Sequence, residues 1–264
     1  MGICESPRTT RSTPHLRHCH RRLQLRRCDV RRRRPLVCDR WLDTRHAKCV
    51  AHFTASSILC LNRRRTHQRC HRLGTRGIPT AIVVPSNHDG RRLPVLFDPY
   101  GGPHAQRVVS SSTAYCASQW FADQGFIVVI ADGAGTPGLG SAWERKVAGD
   151  LAAPVLDDQI SVLDELATLR PDADLSKVAI RGWSFGGYLA ALAVLRAPNR
   201  FHAAIAGAPV TDWRLYDTHY TERYLGDPSV NAAPYDATSL IADASKLERP
   251  LLLIHGLADD NVLA

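Results

Sequence analysis

Lysine is almost missing from the first third of this sequence, and so are carboxylates. Residues 1–76 contain 19 arginines and one lysine. Residues 1–80 hold 20 basic side chains against 4 acidic ones, a net +16, whereas 81–264 hold 14 against 21, a net −7. The overall charge of +9 therefore describes neither part. Sustained apolar periodicity is also lacking in 1–76, so no packed domain is expected there. No apolar run approaches the ~18 residues of a membrane helix, and "MGICESPRTT" has no apolar core of a secretory signal. A soluble, cytoplasmic protein with reduced thiols and no membrane partner is expected. There is no C-x-x-C pair, although seven of the eight cysteines precede residue 80.

Several readings compete for residues 1–76. Clustered arginines, including "RRRR" at 31–34, suit phosphate contacts, although no specific nucleic-acid partner is expected. His15, His18, Cys19 and His20, or His67, Cys70 and His71, could hold zinc, but the spacing departs from the usual zinc patterns, and no metal or cofactor is expected. "MGICES" fits a myristoylation template at Gly2 and Ser6, with Cys4 open to a second acyl chain. Arg, Cys and His in excess with almost no Lys is also what GC-rich DNA yields when read out of frame. Residues 1–76 are accordingly expected to be a disordered or frameshifted segment, and 77–264 a catalytic domain.

From Gly77 the chain changes character. "TAIVVPS" (80–86), "LPVLFDPYGG" (93–102), "FIVVIADGAGT" (126–136), "SKVAIRGWS" (176–184), "FHAAIAGAPV" (201–210) and "RPLLLIHG" (249–256) read as strands. Helices are expected over 111–125, 150–170 and 185–198. Continuous apolar strands separated by helices imply a mostly parallel α/β sheet with helices on both faces. Catalytic loops of such sheets gather at the carboxyl ends of the strands, where Tyr100, Ser184, Val210 and Asp259 fall.

Gly182-Trp183-Ser184-Phe185-Gly186 fits G-x-S-x-G between an expected strand and helix, the context of an α/β-hydrolase nucleophile. The flanking glycines leave room for a sharp turn, and the Phe185 N–H would face an oxyanion at the helix start. The alternative is a serine in an ordinary glycine-rich turn.

The residues around this turn resemble the prolyl oligopeptidase family of serine peptidases, in its dipeptidyl-peptidase IV-like branch. The resemblance covers about 93–264 and rests on "DPYGGP" (98–103), "GWSFGGY" (182–188), "DWRLYDTHYTERYLG" (212–226) and "LLIHGLADDNV" (252–262). It implies Ser184 as nucleophile, Asp259 as catalytic acid, and Tyr100 with the Phe185 N–H as oxyanion donors. It further implies an apolar box of Val210, Trp213, Tyr216, Tyr220 and Val262 for the proline or alanine before the scissile bond, with Asn261 on a substrate carbonyl. Core packing is the alternative for the two tyrosines. Asp260 would hold the acid loop through local backbone bonds. Two departures stand out. Asp132-Gly133-Ala134-Gly135 lacks the arginine of the family's D-G-R-G, so a local salt bridge would be missing. Residues 1–76 bear no likeness to the family's β-propeller, so aminopeptidase specificity does not carry over.

The family places its base histidine after the acid, on a loop beyond one more strand. No histidine follows Asp259 in these residues. His255 would support the acid loop, and His104 or His219 would have to reach Ser184 to replace the base. The expectation is a serine peptidase by family, C-terminally truncated and inactive or nearly so, with a peptide as its partner. An esterase or acyl-peptide hydrolase is a second reading, and an arginine-rich binding protein on a dead hydrolase scaffold a third. Oligomeric state is left open.

Overall fold

The computed structural model describes residues 66–263. Within them lies one seven-stranded sheet: β1 (Gln68–Leu73), β2 (Ile78–Val83), β3 (Leu93–Phe97), β4 (Ile127–Ala131), β5 (Ala173–Trp183), β6 (Ala203–Gly207) and β7 (Leu251–Ile254). The strand order is β1-β2-β4-β3-β5-β6-β7. The β1–β2 and β2–β4 pairs are antiparallel, and the four pairs from β4 to β7 are parallel. The expected mostly parallel α/β-hydrolase sheet is present.

Burial explains why these segments became strands. Every residue of β4, IVVIA, is fully enclosed, as a strand covered on both faces must be. Helix α1 (Cys116–Asp123) packs Ala122 with Tyr115 against one face of β2, β3 and β4. Helices α2 (Ala153–Leu169) and α3 (Phe185–Arg196) join the larger core on the other face. Along α2, Val155, Leu156, Val162, Leu163 and Leu166 recur at helical spacing, and Pro154 sits in the first turn, where its missing N–H costs nothing. In α3, residues 185–195 are all buried, which requires an apolar sequence on all sides.

The boundary expected at residue 76 is too late. Residues 68–73 pair with all six residues of β2, and the turn after them is tied to α2: Gly74 N–H donates to Glu165 (2.6 Å), Thr75 N–H to Ser161 (2.8 Å), and Arg76 pairs with Asp158. Backbone pairing overrides a composition that carries no strand signal. The expectations for residues 1–65, including His15, His18, Cys19, His20, Gly2, Cys4 and Ser6, lie outside the described residues. The zinc set His67, Cys70 and His71 does not form, because strand alternation sends Cys70 to the face opposite the two histidines. No group of three metal-ligating side chains occurs among the described residues, and no helix among them is long and apolar enough to cross a membrane.

Candidate active site

The carboxyl ends of β5, β6 and β7 stand level, with Trp183 opposite Gly207 and Gly207 opposite Ile254. Ser184 follows directly as the N-cap of α3, at φ 56° and ψ −120°. That conformation is unfavourable for a residue with a Cβ and persists only where its surroundings fix it. Two bonds fix it here: Ser184 N–H donates to Gly207 O (2.9 Å), and Ser184 O accepts from Tyr188 N–H (2.9 Å). The glycines follow from close approach. A Cβ on Gly182 would lie 2.2 Å from Gly186 O, and one on Gly187 2.3 Å from Gly207 O. The Phe185 N–H, at the first position of α3, has no carbonyl one turn back to donate to within the helix, so it is available to a ligand at the positive end of the helix dipole.

The 98–103 loop is pressed onto this turn. A Cβ on Gly186 would meet Pro99 O at 2.7 Å, and one on Gly102 would meet the Phe185 ring at 2.2 Å. Tyr100 and Phe185 are thereby brought to 5.9 Å between ring centroids. The Tyr100 hydroxyl is held above its ordinary pKa, chiefly by burial and then by Tyr216, while the neighbouring Ser184 side chain pulls the other way. It therefore stays a protonated donor at neutral pH.

Beneath the loop, Asp98 is 2% exposed. It accepts from Arg107 Nη2 (3.0 Å) and Ser118 Oγ (3.1 Å), and Arg181 Nη1 stands at 3.5 Å. Asp132, raised by burial more than its bonds lower it, accepts the backbone N–H groups of Arg107 and Val108. Sequence reading missed this cluster, whose members share no local pattern. Asp158 takes the Ala134 N–H (2.7 Å) and pairs with Arg76, whose guanidinium also lies 5.2 Å from the Trp143 ring centre.

The aromatic residues of 212–226 form a contiguous box. Trp213 stacks on Tyr220 (5.9 Å, 14°), Tyr216 meets Tyr220 edge-on (5.3 Å) and Trp213 edge-on (5.9 Å). Val210 and Val262 are buried in the same core cluster. Burial drives the Tyr220 hydroxyl pKa far upward, with Tyr100 the next contributor. Tyr220, Tyr216 and Tyr100 thus belong to one electrostatic neighbourhood with Ser184. Helix α4 (Thr218–Leu225) also brings Tyr224 against Tyr220 (5.2 Å). The i, i+4 spacing of Tyr220 and Tyr224 could have revealed it. Tyr216 Oη donates to Asn261 Oδ1 at 3.4 Å.

Asp259 lies on the loop after β7. Its Oδ1 accepts the N–H groups of Asn261 (3.1 Å) and Val262 (3.0 Å), Val262 first among the causes that hold its carboxyl below the usual range. The local bonds expected of Asp260 are therefore made by Asp259. His255 Nε2 bonds Val262 O (2.7 Å) and stands 3.8 Å from Asp259 Oδ2, tying strand end to loop end. His104 is engaged elsewhere: at φ 78° its Nε2 contacts Tyr224 Oη (3.0 Å) and its ring packs on Tyr220 (4.8 Å). His219 is exposed on α4.

Comparison with known proteins follows the same residues. A model of the prolyl oligopeptidase family matches residues 112–264. Human dipeptidyl peptidase 8 is 38% identical over 178 residues, covering 66% of this chain and 20% of that protein. A protein named probable dipeptidyl-aminopeptidase B from Emericella nidulans is 40% identical over 181 residues, covering 67% of this chain and 20% of its own length. The chain thus spans about a fifth of these relatives. The crystal structure of Porphyromonas gingivalis dipeptidyl peptidase 4 superposes with a TM-score of 0.69 at 34% identity, over 75% of this chain and 29% of that one.

Proposed function

This chain belongs to the prolyl oligopeptidase family of serine peptidases, and we propose from its site that it hydrolyses peptide bonds after proline or alanine through an acyl-enzyme on Ser184. One observation carries the reading: a serine in a left-handed N-cap conformation lies beside a protonated, half-buried tyrosine that also faces an aromatic box.

In the proposed reaction Ser184 Oγ attacks the scissile carbonyl. The carbonyl oxygen gathers negative charge and accepts hydrogen bonds from Tyr100 Oη–H and the Phe185 N–H. Each donor is positioned before reaction, the first by the packed 98–103 loop and the second by the helix start. Collapse of the tetrahedral adduct expels the amine, which takes up the proton that Ser184 Oγ would give to the imidazole oriented by Asp259, and leaves an ester on Ser184, which water then cleaves. Trp213, Tyr216, Tyr220, Val210 and Val262 enclose the side chain before the scissile bond. Asn261 receives a substrate carbonyl through its amide N–H, its Oδ1 being turned to Tyr216. Asp259 would orient an imidazole through its remaining oxygen and stabilise the imidazolium.

His104 is committed to Tyr224 and Tyr220, which favours neither deprotonation of Ser184 nor protonation of a leaving amine. Turnover by these residues alone is therefore expected to be negligible, although ground-state binding in the box needs no base. Specificity is tested by titrating alanyl-prolyl amide and alanyl-phenylalanyl amide into the protein calorimetrically. A closed box penalises misfit by ~1–3 kcal/mol per methylene, so the phenylalanyl peptide should bind at least about tenfold more weakly. Tyr220→Ala should erase the difference. Equal binding of both peptides to the unaltered protein would contradict the assignment.

A further inference from the structure

A cavity of about 340 Å³ lies between β1 and the C-terminal end of α2, away from Ser184. His67, Arg69 and His71 are alternate residues at and just before β1, so they fall on one face of the strand. Arg69 stands opposite Ile82 and His71 opposite Thr80. The same cavity is lined by His88 and Arg170, both held by Asp172. Arg170 Nε donates to Asp172 Oδ1 (2.9 Å), and His88 Nε2 meets Asp172 Oδ2 at 2.5 Å. The other ring nitrogen of His88, Nδ1, is buried without a partner among the described residues. The Arg69 guanidinium and the His67 and His71 rings make no hydrogen bond or ion pair with any described residue. Asp172 offsets Arg170, so the cationic wall keeps the full charge of Arg69 and the unused donors of two imidazoles. Ile82, Val84, Pro85, Ser86 and Leu169 line the rest of the cavity.

We infer that this cavity binds a phosphate monoester carrying a small apolar or aromatic body. Three cationic or N–H donors on one strand face match the several acceptor oxygens of a phosphoryl group, where a carboxylate would offer two oxygens in one plane. The volume lies at the lower end of small-molecule pockets, ~300–1,000 Å³, and exceeds what a bare ion fills. The phosphoryl oxygens accept from Arg69, His67 and His71, and the organic body lies on Ile82, Val84 and Leu169. Arg170 and His88 are fixed by Asp172 before binding, so the ordering left to the ligand falls on Arg69, His67 and His71.

The test is isothermal titration of the full chain at 0.15 M salt, which screens diffuse attraction to arginines beyond ~8 Å. The probes are phenyl phosphate, inorganic phosphate and benzoate. Phenyl phosphate should bind best, with inorganic phosphate and benzoate each about tenfold weaker, a ratio worth ~1.4 kcal/mol. Arg69→Ala and His71→Ala should each weaken phenyl phosphate about tenfold, the scale of one charge-assisted hydrogen bond. Leu169→Asp, which puts a carboxylate into the apolar wall at a partly exposed position, should abolish binding. Two results would overturn the site itself. One is no binding to the unaltered chain. The other is equal affinity in Arg69→Ala and Leu169→Asp, which would move the phosphate to the arginines of residues 1–65. Equal affinity for inorganic and phenyl phosphate would overturn the monoester assignment.

Discussion

Replacing Gly187 by alanine should unlock the Ser184 turn through sterics alone. Gly187 has an ordinary helical backbone, so the substitution carries no left-handed penalty, and helix propensity favours alanine by ~1 kcal/mol. Against that gain, the new Cβ would sit 2.3 Å from Gly207 O and 3.2 Å from Gly207 C and N, all backbone atoms without rotamer freedom. That carbonyl is also the acceptor for Ser184 N–H at 2.9 Å. Relief requires α3 to lift from β6, which lengthens that bond and opens the packed α3 face. Overpacking a well-filled core costs ~1–3 kcal/mol, and a rigid backbone contact belongs at the upper end. After the propensity gain the net loss is about 2 kcal/mol, a fall of ~4–8 °C in Tm for a domain of this size. Thermal unfolding followed by circular dichroism at 222 nm measures it. Gly125→Ala is the control, since Gly125 has φ 103° and open space around its Cβ position, so only backbone strain is added. A Gly187→Ala protein as stable as the unaltered one would refute the close approach of helix and sheet.

Arg76→Ala tests whether the 66–76 segment is part of the fold. It leaves the Asp158 carboxylate, 4% exposed, with the Ala134 N–H as its remaining bond. Breaking a buried pair costs ~3–5 kcal/mol, and the partial exposure of Arg76 reduces this to about 2 kcal/mol in a urea titration. An unchanged midpoint would detach the segment. Asp243 gives a pH prediction. Burial raises its carboxyl pKa, but Lys246 and Arg196, both at 2.6 Å, outweigh burial and hold it below the usual range. A depressed folded pKa contributes stability that is present above the ordinary value of ~3.9 and lost as pH falls through the folded value. The Tm gap between the unaltered protein and Asp243→Asn should therefore be widest near pH 7 and close below pH 4. A gap independent of pH would show that Asp243 does not act through its charge.

What the sequence revealed and what it hid divide along a physical line. The Ser184 turn was legible because sterics dictate residue type locally: the glycines at 182, 186 and 187 stand where a Cβ would strike backbone. Strand β4 and helix α2 were legible from apolar continuity and helical spacing. Strand β1 was not, since Gln68–Leu73 shows no apolar alternation and is held by pairing with β2 and by bonds to Glu165 and Ser161, far along the chain. The Asp98–Arg107–Arg181 cluster is likewise assembled across the fold, and no spacing announces it. That Asp259 rather than Asp260 takes the local backbone bonds is a one-residue matter of turn register, below what a D-D pair discloses.

The central proposal is that Ser184 acts as a nucleophile, with Tyr100 and the Phe185 N–H as its oxyanion donors, and that none of the described histidines serves as its base. Intact-mass measurement of fluorophosphonate labelling, with and without free imidazole, tests it most directly. Labelling should be very slow without imidazole and should rise with imidazole concentration, because the solute then takes the Oγ proton. The adduct should map to Ser184, vanish in Ser184→Ala and slow ~10²–10³-fold in Tyr100→Phe, the cost of losing one oxyanion donor. Fast labelling without imidazole, or an adduct that persists in Ser184→Ala, would contradict the account.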